Sequence, residues 1–179
     1  MELSLKKLQK NRTEGREDDP FWRIAPFSVI KWLSFSLLLV LVISFFSGKR
    51  ESRAAFSDVR LAVLGAADLS VMQEADNQMI RRLYGIDPGE YEGVVLYYPL
   101  TNMGAEELFL VKMKDISQQE AVAAGISKRL TAQKNSFEGY GVSQTEMLND
   151  SIVDIHGNYA LFISAEAPEK VQAAFSQVL

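Results

Sequence analysis

"ELFLVKMK", residues 107–114, is the stretch on which the reading of this chain turns. It holds no glycine or proline and is rich in aromatic and aliphatic side chains, the composition of a strand. Phe109, Val111 and Met113 fall on one side, while Lys112 and Lys114 fall on the other. A period of two with one wet face predicts an antiparallel sheet that lays its apolar face on a core. Immediately before it, "GVVLYYPL" (93–100) has the same character, and "TNMGA" (101–105) supplies the turn of a hairpin.

Working outward, Ser117 and Glu120 form an S-x-x-E capping box that predicts a long helix. Val122, Ile126, Leu130 and Phe137 mark its apolar stripe, and Gly139 or Gly141 ends it. "SIVDIH" (151–156) and "YALFIS" (159–164) flank Gly157-Asn158, a two-residue hairpin signal. Pro168 opens a last helix. On the N-terminal side, Ser57 caps a helix running to about Ala67, with Val59, Ala62, Val63 and Ala66 along one face. "DNQMIRRLYG" (76–85) is a second short helix, closed by Gly85 in a left-handed cap. The order α-α-β-β-α-β-β-α predicts an α+β fold. Its sheet is expected to have four antiparallel strands in two hairpins, with the helices packed on one face.

"WLSFSLLLVLVISFF", residues 32–46, belongs to a different solvent. From Phe27 to Phe46, twenty residues carry one charge, Lys31, and fourteen of them are Leu, Ile, Val or Phe. Those fourteen contribute about −4 to −8 kcal/mol to bilayer insertion, against a cost of at most ~3 kcal/mol for the lysine. A helix of that length matches the ~30 Å hydrocarbon core. A signal-peptide reading fits poorly, because a polar tail of 26 residues precedes the run and Ala54-Ala55, its small residues, lie beyond three basic ones. One uncleaved transmembrane signal-anchor helix is therefore expected over residues 27–47, its core being Trp32, Leu37, Leu38, Leu39, Val40, Leu41, Val42 and Ile43. Six basic residues precede it (Lys6, Lys7, Lys10, Arg12, Arg16, Arg23) with Lys31 at its N-terminal edge, seven in all, and four follow closely (Lys49, Arg50, Arg53, Arg60). This imbalance predicts a single-pass protein of the cell membrane, N-terminus cytoplasmic and C-terminal domain outside. The expected organisation is a disordered polar tail over 1–26, the anchor over 27–47, a linker over 48–56 and a domain over 57–179.

Residues 48–179 hold 12 Lys+Arg and 18 Asp+Glu, a net charge of −6. Nucleic acid is not the expected partner of so acidic a domain. The chain has no cysteine, which excludes disulfides, thiolate nucleophiles, zinc-thiolate sites and iron–sulfur clusters. His156, the one histidine, shares a strand face with Asp154 but stands beside the turn, where an exposed polar residue is ordinary. Glu90 with Glu92, and Glu106 with Glu107, are read as solvated surface; a carboxylate pair would otherwise suit glycoside hydrolysis. "DPGEYEGVVLYY" misses the calcium-loop pattern, with Tyr98 where the bidentate Glu belongs. No catalytic residue, metal ligand or cofactor motif emerges, and no cofactor is expected.

One constellation remains. Arg129, Gln133 and Phe137 recur every four residues along one helix edge, with Tyr140 just beyond. Such an edge can line a pocket for an acidic or peptide ligand. Alternatively, Arg129 covers the margin of the core with its aliphatic stem.

"LYGIDPGEYEGVVLYYPLTNMGAEELFLVKMKD" (83–115), followed by this R-x3-Q-x3-F-x2-Y pattern, resembles an uncharacterised family of Gram-positive bacteria (Firmicutes), domain of unknown function 4358. The resemblance covers roughly residues 57 to 178. It implies an exported protein held at the membrane, often as a lipoprotein. The chain departs from that pattern in lacking a lipobox cysteine. The resemblance agrees with an outside domain and an α+β fold and implies no activity. The expectation is a non-catalytic binding or interaction module of the cell envelope, its partner an envelope protein or a small ligand. The alternatives are an envelope hydrolase using paired carboxylates, or an accessory subunit of a membrane complex.

Overall fold

Strand character in "ELFLVK" is realised with both faces dry. In the computed structural model, which describes residues 31–40 and 51–179, every residue of this strand (Glu107–Lys112) is buried. The same holds for Tyr159–Ser164, which pairs with it antiparallel. Two units divide at Gly48. In the first, 31–40 is helical with exposed side chains.

The second unit carries all the elements named below. Helix α1 spans Phe56–Ala66, strand β1 Met72–Glu74 and helix α2 Asn77–Tyr84. Strands β2 (Gly93–Pro99) and β3 (Glu107–Lys112) form the first hairpin. Helices α3 (Gln119–Phe137) and α4 (Val142–Asn149) precede the second, β4 (Ile152–His156) and β5 (Tyr159–Ser164). Helix α5 covers Pro168–Val178. All sheet pairings are antiparallel and the strand order is β1-β2-β3-β5-β4.

Two expectations about the sheet are corrected. It has five strands, not four. The extra strand, β1, is three residues long and lies at the edge on β2, too short to show a period of two. Helices also cover both faces rather than one. Tyr84, Ile80, Val122 and Ile126 of α2 and α3 meet Leu96, Phe109, Val111, Ala160 and Phe162 on one side. Val59, Val63, Val171 and Phe175 of α1 and α5 meet Val95, Leu108, Leu110, Leu161 and Ile163 on the other. The lysine side of β3 misled the reading, because Leu108 and Leu110 share it and Lys112 itself is buried.

Lys112 is neutralised where it lies. Its Nζ donates to Glu92 Oε1 at 2.6 Å and to the Ala54 carbonyl at 2.9 Å, 5.5 Å from the centre of the Tyr159 ring. Tyr159 Oη donates to the same carbonyl at 2.9 Å, and Ser52 N donates to Asn158 Oδ1 at 2.8 Å. The chain is thus fastened to the domain from Ser52 onward.

Among the described residues no helix is long and apolar enough to cross a membrane. This corrects the expected spanning helix as a described element of the fold. The described ten residues, 31–40, rise about 15 Å, half of a hydrocarbon core. Residues 27–30 and 41–47 of that expectation, with Leu41, Val42 and Ile43 among them, lie outside the described residues, as does the tail expected over 1–26.

Local signals fared unevenly. Asp76 caps α2 by accepting from Met79 N, and Gly85 closes it at φ 73°. Gly157, at φ 58°, turns the β4–β5 hairpin, and Pro168 starts α5. The Ser117–Glu120 capping box does not form. Asp115 instead accepts from Ser117 N at 2.7 Å and starts a 3-10 turn, Ile116–Gln118, that runs into α3. Helix α4 lies in a stretch to which the sequence reading assigns no element, and only Leu148 of it is buried.

Candidate functional site

Glu107 begins β3 with the same parity as Phe109 and Val111, so its side chain enters the apolar layer beneath α2 and α3. It is 0 % exposed. Burying a carboxylate is costly unless its oxygens are fully hydrogen-bonded and its charge is matched. Both conditions are met. Tyr84 Oη donates to Oε1 at 2.5 Å. Arg129 Nε lies 3.0 Å from Oε1 and 3.1 Å from Oε2, and Nη2 lies 2.6 Å from Oε2. Gln133 Nε2 completes the set at 2.9 Å from Oε2.

The elements converge for identifiable reasons. Gly125 of α3 sits where a Cβ would lie 2.7 Å from the Tyr84 carbonyl oxygen, so only glycine lets the end of α2 come this close. Arg129 and Gln133 follow at one and two turns along α3, on the side that faces β3. The Tyr84 ring stacks on Phe109, with centroids 3.8 Å apart and planes at 17°. Burial, then the charge and hydrogen bond of Glu107, push the Tyr84 hydroxyl well above its ordinary pKa. Burial of Arg129 opposes its charge, but the hydrogen bonds and attraction of Glu107 outweigh it and leave the guanidinium's pKa raised.

Gln133 has one orientation open to it. Its Nε2 must face the carboxylate, because Oε1 there would set acceptor against acceptor. Oε1 is then left buried with no hydrogen-bond partner, on a residue 5 % exposed. Ser164, opposite Glu107 in the sheet register, also has a buried Oγ without a partner.

Outside this cluster lies a cleft of about 540 Å³. Helix α2 lines it with Met79, Arg82 and Leu83, and α3 with Arg129, Gln133, Ser136 and Phe137. Tyr98, Pro99 and Leu100 at the end of β2 and Thr101, Asn102 and Gly104 of the following loop form the far wall, with Gln73 of β1. Its charged lining residues are arginines, and Arg82 has no carboxylate partner among the described residues.

Of the four residues singled out from sequence, Arg129, Gln133 and Phe137 line this cleft. Phe137 is also buried against Ala105 and Leu148. Tyr140 is 63 % exposed, donates to the Ser136 carbonyl and is not on the cleft wall. Glu107 and Tyr84, the centre of the cluster, were missed, and the assignment of Glu107 to solvated surface is corrected. Its parity with Phe109, Val111 and Met113 was the available signal. Glu92 pairs with Lys112 instead of Glu90. Asp154 accepts from Gln172 Nε2 at 2.9 Å, and His156 is exposed. No group of three or more metal-ligating side chains occurs among the described residues.

A family profile described as a domain of unknown function (DUF4358) matches residues 65–165. No curated protein and no solved structure matches the chain.

Proposed function

The chain belongs to the DUF4358 family, and from that premise we propose that it is a non-catalytic binding module of a Gram-positive cell envelope. In this reading the apolar N-terminal segment holds it at the membrane, the N-terminus is cytoplasmic, and the cleft between α2, α3 and the β2–β3 loop takes the ligand. One observation carries the binding reading. The cleft wall includes Gln133, whose buried acceptor has no partner, held in place by a carboxylate whose own bonding is complete. A satisfied cluster of this kind fixes rotamers, which is what a binding wall needs. No Asp or Glu lines the cleft, so it offers no carboxylate pair to a glycan. Attachment and orientation rest on the hydropathy and charge bias of residues 1–60.

The test is site-specific photo-cross-linking of the full chain in native membranes. A photoreactive residue at Ser136, on the cleft wall, is expected to capture a discrete ligand or partner. One at Leu61, exposed on α1 over the opposite face, is expected to capture none of it. Equal capture at both positions would overturn the assignment. Attachment is tested separately: N-terminal sequencing of membrane-extracted chain should begin within residues 1–26, and a start after Phe46 refutes the anchor.

A further inference from the structure

We propose that the cleft recognises the free C-terminal end of a peptide: a carboxylate, the amide N–H next to it, and an apolar final side chain. The proposal rests on the cleft being a binding site, as above, and adds the chemistry of what it binds.

Three observations point the same way. First, the charge of the cleft is opposite to that of its surroundings. Residues 48–179 carry a net −6 (12 Lys+Arg, 18 Asp+Glu), yet the charged residues lining the cleft are Arg82 and Arg129. Arg129 is committed to Glu107 through Nε and Nη2, whereas Arg82 has no carboxylate partner among the described residues. An anion is the complement of that unpaired guanidinium, and a carboxylate meets its planar fork with two parallel bonds. Second, the orphan Oε1 of Gln133 lies covered, on a residue that lines the cleft, and accepts only, so a group that reaches it must donate. A carboxylate alone has nothing to give it, whereas the amide next to a peptide's terminal carboxylate has an N–H. Third, Met79, Leu83 and Tyr98 set apolar surface within a lining that is otherwise largely polar, which suits one apolar side chain carried beside polar backbone groups. At about 540 Å³ the space fits a chain end and not the flat face of a folded partner.

The probe is a mixture of N-acetylated tetrapeptides of random sequence, synthesised once with free C-termini and once as C-terminal amides. Binding is read by retention on the immobilised full chain in detergent micelles. The free acids are expected to be retained, enriched in apolar final residues, and the amides to be held at least about tenfold more weakly, the loss of one charge-assisted pair. Arg82→Gln, a change at an exposed position, should abolish the difference between acid and amide, and Arg82→Lys should restore part of it. Equal retention of acids and amides, or indifference to Arg82→Gln, would overturn the peptide-terminus proposal while leaving the cleft a binding site. Absence of any retention, together with equal cross-linking at Ser136 and Leu61, would overturn both.

Discussion

Arg129 grips Glu107 with two nitrogens at once, Nε at 3.0 Å and Nη2 at 2.6 Å, across the interface of α3 and β3. The carboxylate is wholly buried, and the guanidinium side chain keeps 18 % of its surface exposed. The two residues therefore face different consequences when cut. Arg129→Ala strands a buried charge, which costs about 3–5 kcal/mol. Replacing both partners with apolar residues of similar shape removes the charge as well as its match. Arg129→Met combined with Glu107→Leu is thus expected to recover part of that loss, the remainder being the Tyr84 hydroxyl and the Gln133 amide left without their acceptor. Denaturant midpoints of wild type, Arg129→Met, Glu107→Leu and the double mutant, with Arg129→Ala beside them, check this, and a double mutant no more stable than either Arg129 single mutant would refute it.

Tyr84 gives the cluster a pH dependence at the alkaline end. Its folded-state pKa is raised above the unfolded value of about 10, by burial first and Glu107 second. The neutral hydroxyl is the form the folded state favours, so its contribution is complete below about pH 10 and falls as pH rises beyond it. Stability measured from pH 8 to 11 should decline steeply above 10, and less steeply in Tyr84→Phe. Tyr159, whose pKa burial also raises, leaves a residual slope.

Gly125→Ala sets two effects against each other. Alanine in a helix interior gains about 1 kcal/mol over glycine. Here the new methyl would lie 2.7 Å from the Tyr84 carbonyl oxygen, a backbone atom that moves only if α2 moves. Overpacking costs of about 1–3 kcal/mol then prevail. The variant is expected to be destabilised, with a lowered denaturant midpoint. A stabilised Gly125→Ala would mean that the two helices part freely.

Lys112 and Tyr159 both donate to the Ala54 carbonyl, which clamps the segment leading into α1. Lys112→Met keeps the apolar stem and removes the clamp's charged donor. Tryptic cleavage after Arg53, an exposed residue inside that clamped segment, should accelerate several-fold while the domain stays folded. An unchanged cleavage rate would show that Tyr159 and Ser52 hold the segment by themselves.

Several elements whose signal lies in a few neighbouring residues were legible in the sequence, although the Ser117–Glu120 capping box was not realised. Asp76 and Gly85 bound α2, Gly157-Asn158 turns a hairpin, and Pro168 opens α5, because caps and turns are decided by contacts within a few residues. The pairing of Arg129 with Gln133 along one helix edge was legible for the same reason. Which side of the sheet is dry was not. The side of Lys112 and Lys114, which Leu108 and Leu110 share, reads as a wet face until α1 and α5, from opposite ends of the domain, close over it. Strand β1 and Glu107 depend on the same kind of distant partner. Three residues become a strand only beside β2, and a glutamate at a strand end becomes a buried anchor only when Tyr84, Arg129 and Gln133 arrive to satisfy it. A sequence states what each residue can do locally; whether a charged group is buried depends on donors brought from tens of residues away, and tertiary structure alone assembles them.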